Sequence, residues 1–158
     1  TQFLRRNIKD ESISGLLLSK IRRGKELGIR VTIDRHSRLH RFPPRLDHHD
    51  FVVLLGNLIE NAFDAFQGVA DREKEIYISI EQNEEICSLA VEDNGQGIAR
   101  EHIDHIFNEG FSTKGKNGRG IGLYLVKQIV EKGNGHISVQ SEEGKGTVFT
   151  ITFDMQLH

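Results

Sequence analysis

Residues 86–93 alternate so that Cys87, Leu89, Val91 and Asp93 fall on one face of an extended strand. Three of those side chains are apolar, so the face is a core face, and a carboxylate ends it. A second alternating stretch, 146–153, groups Thr147 with Phe149, Ile151 and Phe153 in the same way. A chain with such one-sided strands has to cover their apolar face with something else. The covering elements are amphipathic helices, described next, and the expected fold class is α/β: a two-layer α/β sandwich with a mixed sheet and helices on one face. A carboxylate at the end of a core face is costly unless donors meet it. Asp93 opens an Asp-Asn-Gly sequence, which is also ordinary turn chemistry, and on its own that simpler reading suffices.

Helical spacing of Ile13, Leu16, Leu17 and Ile21 predicts a helix over 10–27, stopped by Gly28. Its other face carries Lys20, Arg22, Arg23 and Lys25. Such a helix either packs on its own domain or belongs to a dimerisation hairpin. Residues 29–34 alternate like a strand, and a basic loop over 35–45 contains Pro43-Pro44. A second helix is expected over 48–67. Strands at 75–82 and 86–93 form a hairpin across Asn83-Glu84-Glu85. A short helix follows over 100–106, then a polar loop over 107–117, then a helix over 120–132 closed by Gly133. Strands over 135–141 and 146–153 form the last hairpin. The length, 158 residues, suits one domain. The net charge of −2 gives no support for a nucleic-acid partner. Cys87 is the single cysteine, which excludes a disulfide framework and fits a reducing, cytoplasmic setting. No apolar run is long enough to span a membrane, and no signal peptide is evident. The chain opens at Thr1 in helix-like sequence and reads as a fragment of something longer.

Asn57, Asn61 and Asp64 stand at i, i+4 and i+7, on one side of the second helix, while Leu55, Leu58, Ala62 and Phe66 cover the sectors that pack inward. The stripe faces either bulk water or a wet cleft. In a cleft, its amide and carboxylate oxygens are hard donors suited to Mg²⁺, an ion that keeps waters and bridges to phosphates. The run Gly118-Arg119-Gly120-Ile121-Gly122-Leu123 feeds directly into a helix and exposes backbone N–H groups at its positive end. It is neither a Walker sequence nor a Rossmann fingerprint. Lys114 and Arg119 add charge able to meet phosphate oxygens. Gly95 and Gly97 allow a sharp turn beside a base whose amine Asp93 could accept. If the strands neighbour one another, Thr147 reaches the same base.

The stretches 57–65, 93–97, 106–114, 118–123 and 144–147 resemble, in order, the N, G1, F, G2 and G3 boxes of the GHKL superfamily. That superfamily holds gyrase-type, heat-shock chaperone, mismatch-repair and histidine-kinase ATPases. The likeness covers about residues 45–154. The Asn-x-x-x-Asn helix and the sequence IFNEGFSTK are similar to sensor histidine kinases. LLGNLIENAFDA, preceded by GLLLSKIRRGKELGI, resembles the citrate and C4-dicarboxylate sensor kinase group. The resemblance implies a Bergerat fold, ATP or ADP with Mg²⁺ as ligands, and phosphoryl transfer to a histidine. Asn61 would ligate the metal, with Asn57 beside it as a second catalytic residue. Asp93 and Thr147 would hold the adenine, and Gly95, Gly97 and Ile98 would shape its pocket. Residues 107–117 would form the lid, with Phe107, Thr113 and Lys114 near the nucleotide. Gly118, Arg119, Gly120, Ile121, Gly122 and Leu123 would pack against the phosphates, and Asp64 would complete the nucleotide face.

This chain departs from the pattern at two positions. Many kinases of the superfamily carry a basic residue where Asp64 stands, which passes phosphate neutralisation to Lys114 or Arg119. Hydrolysing members use a glutamate where Asn57 stands, so its absence favours transfer over hydrolysis. Glu60 points about 100° away from Asn61 and reads as structural or partner-facing. None of the eight histidines has a phospho-acceptor context. His49-Asp50 is a fitting dipeptide in the wrong place, at the start of the Asn helix. The expected organisation is therefore 1–28 as the remnant of a dimerisation hairpin and linker, and 29–158 as the ATP-binding domain. Its partners would be the dimerisation and histidine-phosphotransfer domain and, through it, a response regulator. The parent protein would be a membrane-anchored homodimer and this piece a monomer in the cytoplasm. Rival readings are a Ser/Thr kinase of the anti-sigma type, a nucleotide-binding regulatory module and a gyrase-like ATPase.

Overall fold

The computed structural model describes residues 2–111 and 120–156. The elements run α1 (Gln2–Asn7), α2 (Glu11–Leu27), β1 (Ile29–Ile33), α3 (His48–Asp64), β2 (Lys74–Gln82), β3 (Ile86–Asp93), a 3₁₀ turn (Arg100–His105), α4 (Gly120–Lys132), β4 (His136–Glu142) and β5 (Gly146–Asp154). The strands form one five-stranded sheet in the order β1-β2-β3-β5-β4. Only the β1–β2 pair is parallel, and α3 makes its crossover; the other pairs are antiparallel. Ile76, Ile78, Ile80, Cys87, Leu89, Val91, Phe149, Ile151 and Phe153 are buried on one face. The helices cover that face: Ile13 and Leu17 of α2, Phe51, Leu54, Leu58 and Ala62 of α3, and Val126 and Val130 of α4 join the same core. The opposite face is polar, and there Tyr77 donates its hydroxyl hydrogen to Asp34 at 2.6 Å. This is the expected two-layer α/β arrangement.

The ends of the helices have local causes. Asp10 caps α2 by accepting from the Ile13 N–H at 3.1 Å, and Gly28 closes it with φ 73°. Asp47 and Asp50 form a reciprocal capping box at the start of α3, so Asp50 is committed to the helix end and to Lys132 of α4 at 2.9 Å. The amino terminus holds a separate short helix, because Ile8 leaves the helical path to bridge Leu39 and Asp10 starts a new one. The helix α3 ends at Asp64, earlier than the hydrophobic pattern suggested, and the chain passes into turns at 65–68 with Gly68 at φ 78°.

Gly133 does not close α4 in the expected way. The left-handed residue after the helix is Asn134, at φ 54°, and the Gly135 N–H returns to the Val130 carbonyl at 2.8 Å. Gly133 is needed for close approach instead: a Cβ there would lie 2.8 Å from the ring of Phe153.

The helix α2 packs on β1 and α3, with Ile13 and Leu17 fully buried. Its approach to β1 depends on Gly24, where a Cβ would meet the Ile29 carbonyl oxygen at 2.4 Å and Val31 Cγ2 at 2.7 Å. Gly15, on the same helix, has open space around it. Gly24→Ala should therefore lower stability by about 1–3 kcal/mol, whereas Gly15→Ala should raise it by roughly 0.5–1 kcal/mol through helix propensity. Urea melts of the two variants should move in opposite directions, and equal shifts would contradict the close packing of α2.

Candidate functional site

One end of the sheet gathers the polar groups. In the β3–β5 register Asp93 stands directly opposite Thr147, and in the β4–β5 register Thr147 stands opposite Ser141. Directly paired residues share a face and have Cβ atoms about 4.5–5.5 Å apart. Asp93 and Thr147 are each only 5% exposed. The Gly95 N–H donates to Asp93 Oδ1 at 2.9 Å, the first of the donors a buried carboxylate requires. Thr147 Oγ1 is 2.8 Å from Ser141 Oγ. Strand parity had placed Asp93 and Thr147 on the core face, and the structure puts them there side by side.

The loop after β3 is held against two neighbours. Gly95 sits so close to the end of α3 that a Cβ would meet the Ala65 carbonyl oxygen at 2.5 Å, and the Gln96 N–H donates to that same oxygen at 2.9 Å. Gly97, at φ 74°, is the position that needs a left-handed backbone, and it lies against Glu142 of the β4–β5 hairpin. Gly95 is thus required through proximity alone, and Gly97 through both conformation and proximity. The hairpin returns the contact: the Gly144 N–H donates to the Gln96 carbonyl at 2.7 Å, and the Ile98 N–H donates to Ser141 Oγ at 2.8 Å. Asn94 ties the same loop to β2, accepting from the Glu75 N–H at 2.9 Å and donating to the Glu73 carbonyl at 2.8 Å.

Helix α3 supplies the second wall. Asn57, Asn61 and Asp64 are half-buried, away from the buried Leu54, Leu55, Leu58, Ile59 and Ala62. The Asn57 side chain donates back to the Val53 carbonyl at 2.8 Å, which fixes its amide. Its Oδ1 would lie 3.0 Å from a Cβ on Gly122, so the first turn of α4 comes up against it. Phe107 is half-buried, meeting Phe149 edge-on at 6.2 Å, with Lys127 Nζ 5.9 Å from its ring centre. Ile98 and Leu123 pack partly against the core. The beginning of the expected lid, through Phe111, is a pair of turns: the Asn108 N–H donates to His105 and the Phe111 N–H to Asn108. Thr113, Lys114, Gly118 and Arg119 lie outside the described residues, as does the rest of the lid up to Asn117, and Gly120 and Ile121 are described by their backbone alone.

Three contributors had not been singled out. Ser141 was available from parity, since Ile137, Val139 and Ser141 share a face that ends, like those of β3 and β5, in a polar group. Asn94, within Asp-Asn-Gly, carries only an ordinary turn signal in the sequence. Arg72 had no sequence signal. Its Nη1 donates to the carbonyls of Asn94 at 3.0 Å, Gly95 at 3.4 Å and Gly144 at 2.9 Å, joining both glycine loops from outside.

Glu60 faces α2, where it accepts from Arg23 at 2.5 Å and Lys20 at 3.2 Å. Arg23 also lies over the Phe63 ring, 5.0 Å from its centre, and feels the charge of Asp64. Burial drives the Glu60 pKa upward, but the hydrogen bonds from Arg23 and Lys20 outweigh it and the net shift is downward. Glu60 therefore fastens α3 to α2.

Residues 46–157 match the family described as histidine kinase-, DNA gyrase B-, and HSP90-like ATPase. A probable C4-dicarboxylate sensor kinase of Bacillus subtilis (strain 168) is 53% identical over 99% of this chain and 29% of its own length. Sensor histidine kinase DcuS of Escherichia coli (strain K12) is 40% identical over 91% of this chain and 26% of its own length. The chain thus spans less than a third of these relatives. Among solved structures, the catalytic domain of histidine kinase ThkA superposes with a TM-score of 0.68 at 22% identity, covering 91% of this chain and 95% of that one. A mycobacterial sensor histidine kinase, MprB, gives 0.68 at 18% identity over 92% of this chain and 97% of that one. Both share the fold.

The Glu60 contacts carry a pH signature. A carboxylate whose folded pKa is lowered contributes stability above its ordinary value of 4.5 and loses it as pH falls through the folded value. The stability gap between the wild type and Glu60→Gln should be full at neutral pH and shrink below pH 4.5. Urea melts along an acid series measure this, and a gap independent of pH would contradict it.

Proposed function

The chain belongs to the family of histidine kinase-, DNA gyrase B- and HSP90-like ATPases, and we propose that it holds ATP for transfer of the γ-phosphoryl group to a histidine on a dimerisation domain of the same protein. The observation that carries this reading is the Asp93–Thr147 pair, buried side by side at the mouth of two glycine loops. A buried carboxylate beside a hydroxyl suits a flat base with an exocyclic amine. In this reading Asp93 accepts from the adenine amine and Thr147 lies beside the base. Gly95, Gly97 and Ile98 form the wall of the base pocket, and Phe107 and Leu123 line its approach.

The phosphates then lie toward α3 and the first turn of α4, where Gly122 allows the backbone to come close. Lys114 and Arg119 are the cations proposed to meet phosphate oxygens, with Thr113, Gly118, Gly120 and Ile121 proposed beside them. Among the described residues no three His, Cys, Asp or Glu side chains converge as a metal site. A Mg²⁺ ion held by the Asn61 oxygen would complete its shell with phosphates and water, as that ion prefers. Bound there, Mg²⁺ would spread the charge of the transferring group. Asn61 orients, while Asn57, fixed by its own helix, offers an amide where a water-activating base would need a carboxylate. That chemistry favours transfer over hydrolysis. The contribution of this chain is positioning and electrostatics. The accepting histidine, the response regulator and the membrane anchor of the parent protein belong to the same proposal. So does the assignment of 1–28 as the remnant of a dimerisation hairpin and linker.

Asp93→Asn exchanges a charge-assisted hydrogen bond for a neutral one and should weaken ATP binding by about 10- to 100-fold. Calorimetry measures this, and an unchanged affinity would sink the adenine assignment. Asn61→Ala should abolish Mg²⁺-dependent transfer to a supplied dimerisation domain while nucleotide binding without the ion persists. Labelled histidine appearing at the wild-type rate would remove Asn61 from the metal site.

A further inference from the structure

The hydroxyl of Ser141 is 2.8 Å from the Ile98 nitrogen, 3.0 Å from the Gly146 carbonyl oxygen and 2.8 Å from Thr147 Oγ1. A serine hydroxyl has one hydrogen to give and two lone pairs to accept with. The Ile98 N–H can only donate, so it takes one lone pair. The Gly146 carbonyl can only accept, so it takes the hydrogen. One lone pair remains for the third neighbour, and that contact needs a hydrogen, which Thr147 must supply. Any other assignment sets two oxygens against each other without a hydrogen between them. The inventory thus fixes the Thr147 hydroxyl as a donor toward Ser141, and its own hydrogen is not available to the pocket.

We propose that Ser141 is a specificity-determining positioning residue. By taking the Thr147 hydrogen it leaves the Asp93–Thr147 pair acceptor-only, so the pocket accepts a 6-amino purine and rejects a 6-keto one. The proposal rests on the reading that Asp93 meets the purine 6-substituent. An amine brings hydrogens to both acceptors. A keto oxygen meets a carboxylate and a hydroxyl that have only lone pairs to offer, and an unmet buried polar group is what gives hydrogen-bonding sites their discrimination. Ser141 does this without touching the base. The same hydroxyl holds Ile98 and the β4–β5 hairpin in place, so a purely structural role is the competing account.

The ratio of inosine triphosphate to ATP dissociation constants separates the two. Ser141→Ala releases the Thr147 hydrogen, which can then turn into the pocket and donate to a keto oxygen. The ratio should fall by about tenfold, the worth of one hydrogen bond. A merely loosened loop would weaken both nucleotides alike and leave the ratio at its wild-type value, which would overturn the proposal. Ser141→Cys, similar in size and a poor partner for hydrogen bonds, should lower the ratio in the same direction. An unchanged ratio in that variant would overturn the proposal even where Ser141→Ala fails to fold. Asp93→Asn measured alongside distinguishes the failures. Lost ATP affinity there, with an unchanged ratio in the Ser141 variants, rejects only the role of Ser141. Retained affinity there rejects the base reading itself.

Discussion

A carboxylate with 5% exposure cannot sit at the end of a hydrophobic sheet face without donors, and the arrangement around Asp93 follows from that requirement. The Gly95 N–H meets it from the loop that Asp93 itself begins. To deliver that N–H, the loop has to turn back tightly, which brings Gly95 against the last turn of α3 and Gly97 against the β4–β5 hairpin. The contacts that stabilise the charge therefore also assemble the walls of a pocket. Stability and site geometry are here one set of interactions.

The assembly is layered. The core of the sandwich, with Phe51 and Phe153 fully buried between α3 and the sheet, sets where α3 lies. The side of α3 turned from that core presents Asn57, Asn61 and Asp64. Glu60, on a neighbouring sector, is drawn to α2 by Arg23 and Lys20 and fixes the rotation of the helix. Rotating α3 to bring Glu60 toward the pocket would bury the amide stripe and break both ion pairs.

Much of this was legible in the chain. Period-two parity put Asp93 and Thr147 on the core face, and helical spacing put the asparagines together, because both signals depend only on local geometry. Strand β3 and helix α4 fell within the expected bounds for the same reason. What escaped was whatever depends on two distant segments meeting. Arg72 reaches three carbonyls on two loops, the farthest 72 residues along the chain, and nothing near Arg72 in the sequence marks it. Gly133 looked like a helix stop because glycine often is one, yet its constraint is the ring of Phe153 on another strand. Ser141 lay between these cases: its parity was readable, but its meaning needed the loop that brings Ile98 above it.

The helices α3 and α4 pack together, with Lys132 at the end of α4 holding Asp50 in the first turn of α3 and Gly122 in the first turn of α4 set against Asn57 in the middle of α3. Glycine at that touching point has no side chain to change rotamer. Any larger residue at 122 would have to push the Asn57 amide aside or hold the two helices apart. The position of the Asn57 amide is therefore set by the side chain that residue 122 lacks.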